Sequence, residues 1–320
     1  MSKTQKEIGG YLELDTFSLP MLHEGAIALN CCRNALAYAL LARKAKSVWL
    51  PWFLCDSERD VCAKYGIPVK TYRIGEDFLP EEIAPGEGEW LCIVNYYGQL
   101  SQETLLRLKN RYGRILVDNT QAYFQPPLEG VDTIYSCRKF FGVSDGGFLY
   151  TDARLEEELE RDESFERIRF VLGRYERTAS EFYAEAAANN DVFIREPIKK
   201  MSRLTENLLH AIDYDAVRRR RTENFAYLDS RLGSRNRLRP HPAEGAFMYP
   251  LWSDRAPELR RSLVKEKIYI PTLWPDVFAR VPEDWTEWKL ANFILPLPVD
   301  QRYTTEDMEH LVERLLALGI

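Results

Sequence analysis

The chain has 320 residues, 45% hydrophobic and 29% charged, with a net charge of -6. That length supports a large buried core, in one large domain and a smaller one, and the composition excludes a disordered, collagen-like or disulfide-stapled chain. The acidic balance leaves no footprint for nucleic acid, and no apolar run approaches the roughly 18 residues that cross a bilayer, so neither nucleic acid nor membrane is an expected partner.

The amino-terminal MSKTQKEIGGYLELD lacks the charged, apolar and small-residue succession of a secretory leader, which predicts a cytoplasmic protein. From about residue 27 to 150, short apolar runs alternate with helix-period segments, the pattern of an α/β layer fold with a mainly parallel sheet. The predicted strands are 48–51, 69–74, 90–97, 114–119, 133–137 and 147–151, with helices over 33–44, 56–65 and 101–112 between them. A charged helical stretch is predicted to about residue 190, then a second long helix over 202–232, whose arginines at 218–221 read as a solvated face. The remainder reads as an α+β unit: strand 246–252, helix 256–266, strand 269–271, the strand FILPLP, and a last helix opened by Thr304, Thr305 and Glu306.

The six cysteines (Cys31, Cys32, Cys55, Cys62, Cys92 and Cys137) form no CxxC pair and have no histidines at zinc-site spacing, so reduced thiols are expected. His23, His210, His241 and His310 show no metal spacing either, and no metal is predicted.

Three segments carry candidate chemistry. In VDNTQAYF (117–124) an apolar strand ends in Asp118, with Gln121 three residues on, at the sheet edge where open α/β folds bind ligands. By itself this is also the pattern of an ordinary strand-end turn. In DTIYSCRKFFGVSDGGFLYT, Lys139 follows a strand and precedes Gly146 and Gly147; a lysine held close to a carbonyl forms a Schiff base, while a surface lysine paired with Asp145 has the same sequence. Arg138 beside it offers a phosphate or carboxylate partner. In LNCCRNALAYAL a turn precedes a helix whose first N–H groups could meet an anion, a pattern common in α/β proteins.

Taken in this order, and with VNYYGQL at 94–100, these segments resemble the nucleotide-sugar aminotransferases of the DegT/StrS type. MSRLTENLLHAI and the closing ILPLPVDQRYTTEDMEHLVERL resemble that family's C-terminal signature. The resemblance implies an aspartate-aminotransferase-like pyridoxal 5'-phosphate (PLP) fold: a mainly parallel central sheet in a three-layer large domain, residues 1–205, plus a small α+β C-terminal domain, residues 206–320, with a bridging helix. Carried over residue by residue, Lys139 would hold the cofactor covalently and then serve as the proton-transferring base. Asp118 would pair with the pyridine nitrogen, and Gln121 would bond the ring's phenolic oxygen. Ser136 and the backbone of Cys31, Cys32 and Arg33 would hold the phosphate, and Cys55, with Phe53 or Trp52 as substitutes, would stand where the ring is stacked.

The implied reaction is amino transfer from an amino acid such as glutamate to a keto-sugar nucleotide, in a homodimer, for surface polysaccharide or glycoconjugate synthesis. The chain departs from the family at several points. Cys31 and Cys32 stand where Ser and Gly are expected, and the Ser136 to Lys139 segment is two residues shorter. Ile198 stands where an asparagine usually reaches across the dimer.

Two other readings compete. A regulator or scaffold keeping the fold without transamination has no physical need for Asp118, Gln121 and Lys139 together. Ser136 to Lys139 also reads as SxxK, but a penicillin-recognising hydrolase needs that motif at a helix start and a KTG strand, which the chain lacks. Trp274, Trp285 and Trp288 in the tryptophan-rich tail are expected to be buried in the small domain or at a dimer contact, with sugar stacking as the alternative.

Overall fold

The computed structural model describes residues 8–320, so the MSKTQKE part of the leader reading lies outside the described residues. In chain order the first half contains β1 (Ile27–Leu29), α1 (Cys32–Ala42), β2 (Ser47–Pro51), α2 (Asp56–Lys64), β3 (Val69–Tyr72), β4 (Glu89–Val94), α3 (Gln102–Tyr112), β5 (Ile115–Asp118), β6 (Asp132–Ser136) and β7 (Gly147–Tyr150). The second half contains α4 (Arg169–Glu176), α5 (Tyr183–Arg195), α6 (Arg203–Leu209), α7 (Tyr214–Leu232), β8 (Met248–Trp252), α8 (Ala256–Lys265), α9 (Thr286–Phe293), β9 (Ile294–Pro298) and α10 (Thr305–Ala317).

Seven strands form one sheet in the order β1-β7-β6-β5-β4-β2-β3. The pairs from β3 through β6 are parallel, whereas β7 runs antiparallel to both β6 and β1. The four residues of β5 and the five of β6 are all buried, as strands covered on both faces must be. Buried on both faces, β5 (ILVD) is apolar up to its terminal Asp118, whereas β6 (DTIYS) keeps polar residues at both ends. A charged residue in this layer needs a partner, and Asp132 has one: Arg43 Nε and Nη2 donate to its two oxygens at 2.9 and 2.7 Å.

The two-stranded sheet of β8 and β9 packs with α7, α8 and α10 around a second core that includes Phe225, Leu251, Leu259, Leu297 and Leu311. Local chemistry starts the helices where it is expected to. Ser101 caps α3 by accepting from Thr104 N at 3.1 Å, and Thr304 and Asp307 form a reciprocal capping box on α10.

Four expectations are corrected, and one strand has no counterpart among them. Strand β1 went unread because three residues show no periodicity. The strand at 90–97 stops at Val94, because the chain turns through Tyr97 at φ 55°. The helix predicted after residue 152 does not form until Arg169, since Lys200 pairs with this stretch and tertiary bonding overrides helix propensity: Asp162 N donates to Lys200 O at 3.0 Å and Lys200 N to Glu160 O at 2.8 Å. The 202–232 helix is two helices, the second opened by Asp213 accepting from Ala216 N at 2.9 Å. Residues 269–271 are irregular, leading to Trp274 in the left-handed region at φ 56°. No helix among the described residues is long and apolar enough to cross a membrane.

Candidate active site

Three strand ends meet at one edge of the sheet. In register, Gly147 lies between Leu29 of β1 and Ser136 of β6, so the segments that follow those two residues leave the sheet side by side. After Leu29 the chain turns through Asn30 and Cys31 into α1, and Asn34 Nδ2 ties the turn by donating to Asn30 Oδ1 at 3.0 Å. A Cβ on Gly147 would come within 2.8 Å of Cys32 N and 2.9 Å of the Cys31 carbonyl carbon. Glycine is therefore what lets β7 pass directly beneath the start of the helix. No side chain caps α1, so its first N–H groups have no partner within the helix.

After Ser136 the chain turns through Cys137, Arg138 and Lys139. Lys139 is exposed, and its Nζ donates to Thr120 Oγ1 at 3.1 Å and lies 5.7 Å from the Phe247 ring centre. The alternative pairing of Lys139 with Asp145 does not occur. Asp145 is buried and accepts from Ser202 N at 2.8 Å, from Ser202 Oγ at 2.7 Å and from Thr205, pinning the loop before Gly146 to the start of α6.

Asp118 ends β5, 2% exposed, and its Oδ1 accepts from Thr120 N at 2.8 Å. Among the described residues no lysine or arginine pairs with it. Burial pushes its carboxyl up to about 6, against the pull of the Lys139 charge and with a further push from Glu58. An aspartate in that state is short of a cation.

The remaining predicted residues divide. Ser136 is buried at the end of β6, a strand and not a helix start, which removes the SxxK hydrolase reading. Gln121 is buried and its Oε1 accepts from Tyr97 N at 2.7 Å, leaving the NH2 group as its donor; it borders a cavity of about 260 Å³ shared with Gln99, Gln125 and His241. Phe53 is fully buried, its ring 4.4 Å from that of Trp274 and 5.1 Å from that of Tyr96, and it packs in the core of the large sheet. Cys55 is half-buried at the start of α2, its Sγ 2.8 Å from Ser57 Oγ and 2.9 Å from Glu58 Oε2.

Trp52 is half-buried, edge-on to Trp285, and Arg59 lies over its ring at 5.2 Å. Burial raises the Cys31 thiol to about 11, the Cys55 thiol to about 12 and the Cys32 thiol well above its usual value, so all three are neutral. The site also includes Thr120, which lies between Asp118 and Gln121 in VDNTQAYF, and Glu58 and Asn190, for which the sequence carries no motif.

A PLP-like group needs an amine for its aldehyde, an anion for its ring nitrogen and donors for its phosphate. Lys139, the cation-deficient Asp118 and the uncapped helix start over Gly147 supply these three, so the residues present fit the group.

The fold is the aspartate-aminotransferase-like α/β fold, with a mostly parallel seven-stranded sheet. It is shared with DesV from S. venezuelae, solved in complex with a ketimine intermediate, at a TM-score of 0.64 and 19% identity over 92% of this chain and 84% of that one. The sugar aminotransferase CalS13 from Micromonospora echinospora matches at a TM-score of 0.58 and 18% identity, covering 92% and 87%. NtdA from Bacillus subtilis, solved with bound cofactor PMP, matches at 0.65 and 14% identity, covering 92% and 73%. No family model matches the sequence, and no curated protein matches it.

Proposed function

We propose that the chain is a PLP-dependent aminotransferase that moves an amino group from an amino acid such as glutamate to a keto-sugar nucleotide, in surface polysaccharide or glycoconjugate synthesis. The observation that carries this reading is that Thr120 contacts both Lys139 Nζ, at 3.1 Å, and Asp118 Oδ1, at 2.8 Å. An amine and a buried carboxylate with no cationic partner among the described residues are thereby linked through one residue at the sheet edge. The structural neighbours solved with a ketimine intermediate and with PMP share this fold and support the same chemistry.

Bound here, PLP would supply an electron-withdrawing ring that stabilises negative charge on the carbon losing a proton. Asp118 as carboxylate would hold a proton at the pyridine nitrogen. Lys139 Nζ, partnered by Thr120, would take the proton from the donor's amine-bearing carbon. Gln121 would offer its NH2 to the ring's phenolic oxygen. Cys55 lies beside the ring position in this reading, and the cavity bordered by Gln121, Gln99, Gln125 and His241 offers space and hydrogen-bonding groups for an acceptor rich in hydroxyls.

In the same reading residues 1–205 form the cofactor domain and residues 206–320 the small domain, with α7 bridging them, and the enzyme is a cytoplasmic homodimer. The nearly fully exposed Ile8, Tyr11 and Leu12 support a partner surface at the amino-terminal arm. The reading is tested by mixing PLP-loaded protein with glutamate and measuring the keto acid in a single turnover. Product from the native chain and none from Lys139→Ala supports it, whereas no product with any amino donor removes it.

A further inference from the structure

Two arginines stand beside the start of α1 without an anion. Arg33, in the first turn, is only 9% exposed, and Arg138 lies in the turn that carries Lys139. Neither pairs with a carboxylate among the described residues. Both donate to a single acceptor, Asn190 Oδ1, at 3.3 Å from Arg33 Nη2 and at 3.4 and 3.5 Å from Arg138 Nη1 and Nη2. These lengths are at the outer edge of hydrogen bonding, and one neutral amide oxygen is far less than two guanidinium groups can use. The Arg138 guanidinium also lies 4.9 Å from the Phe193 ring centre.

The nearby carboxylates are engaged elsewhere: Asp162 with Arg167 Nη2 at 2.6 Å, and Asp145 with Ser202 and Thr205. Burial lowers Arg138 to about 10, and the neighbouring Arg33 and Arg167 push the same way. The charges of Arg33 and Arg138 both act on the Cys31 thiol, which places them at the helix start. Two like charges gathered in a partly buried site are unfavourable until an anion joins them.

The chain also has a specific need for donors here. Cys31 and Cys32 present neutral thiols, which are weak donors, at the turn above Gly147. The short connection from Ser136 brings Arg138 to the same place. We propose that Arg33 and Arg138 clamp a phosphate monoester dianion, that of the cofactor, together with the first N–H groups of α1. Guanidinium forks supply the hydrogen bonds that the thiols do not. The inference rests on the PLP reading above and adds to it the residues that select the phosphorylated cofactor.

The experiment titrates the full chain with PLP and with pyridoxal, which carries the same aldehyde without the phosphate. Binding is followed by visible absorbance and by borohydride trapping on Lys139. The native chain prefers PLP. Arg33→Gln and Arg138→Gln should each lower PLP affinity about ten- to hundred-fold, the loss expected for a charged hydrogen-bond pair, and leave pyridoxal affinity unchanged.

A PLP preference that survives in both variants, or a loss that falls equally on PLP and pyridoxal, overturns the clamp while the cofactor reading stands. If the buried Arg33→Gln fails to fold, the more exposed Arg138→Gln and Arg138→Lys decide, with Lys keeping part of the preference. A native chain that traps neither aldehyde overturns the cofactor reading, and the clamp with it.

Discussion

Lys139 and Asp118 are joined through one intervening residue: Lys139 Nζ donates to Thr120 Oγ1 at 3.1 Å, and the Thr120 N–H donates to Asp118 Oδ1 at 2.8 Å. The hydroxyl thus orients the amine while the backbone of the same residue orients the acid. Thr120→Val keeps the shape and the backbone bond but removes the hydroxyl. We expect trapping of PLP on Lys139 to persist and single-turnover amino transfer to slow about ten-fold, the value of one hydrogen bond to a charged group. Stopped-flow absorbance checks this, and an unchanged rate would show that the contact does not position the amine.

Asp118 should destabilise the cofactor-free protein. Its carboxyl is raised from 3.8 to about 6, so its contribution is fully present below pH 3.8 and is lost as the pH rises through 6. At pH 8 the burden of the buried charge is on the order of 3 kcal/mol. Asp118→Asn should therefore melt higher than the native chain at pH 8 without cofactor, by an amount that shrinks toward pH 4, and should bind PLP more weakly. Thermal melts against pH check the first part and absorbance titration the second.

His23 works in the opposite direction. Its ring is buried among Tyr123, Tyr135 and Phe148, with Nδ1 3.1 Å from Tyr150 Oη and Nε2 3.0 Å from Tyr123 O. Burial lowers it to about 4, the Tyr123 carbonyl partly opposing. Because the folded value lies below the ordinary 6.5, the stability it confers is present above pH 6.5 and lost as the pH falls through 4. The full loss is about 3 kcal/mol. His23→Gln should flatten the acid limb of the stability curve over that window, as denaturant melts from pH 4 to 7 would show.

Gly147→Ala places a methyl group against backbone that cannot swing aside, at 2.8 Å from Cys32 N and 3.0 Å from Tyr135 O. We expect a loss of about 1–3 kcal/mol in stability together with weakened PLP binding, since the start of α1 must move. Denaturation and cofactor titration of the same variant check both. Full stability with full affinity would mean that the close approach is not needed.

The part of the fold legible in the sequence was the part whose pattern is local. Strands β2 to β7 and helices α1 to α3 each show as an apolar run or a helical period, and Asp118 and Lys139 show as polar residues ending such runs. The irregular stretch before Arg169 did not show, because its backbone pairs with Lys200 some forty residues on. Phe53 entered only through the family resemblance, as a substitute for the ring-stacking aromatic, and its packing against Trp274 and Tyr96 is visible only in the folded chain. Asn190, the shared acceptor of Arg33 and Arg138, belongs to α5 and could be linked to either arginine only by the folded chain.

The most direct measurement is borohydride reduction of the purified chain with PLP, followed by peptide mapping. The account predicts a visible absorbance band that borohydride abolishes, with the cofactor fixed on the peptide containing Lys139 and none retained by Lys139→Ala. A colourless, unlabelled protein, or a label carried on a different lysine, would contradict it.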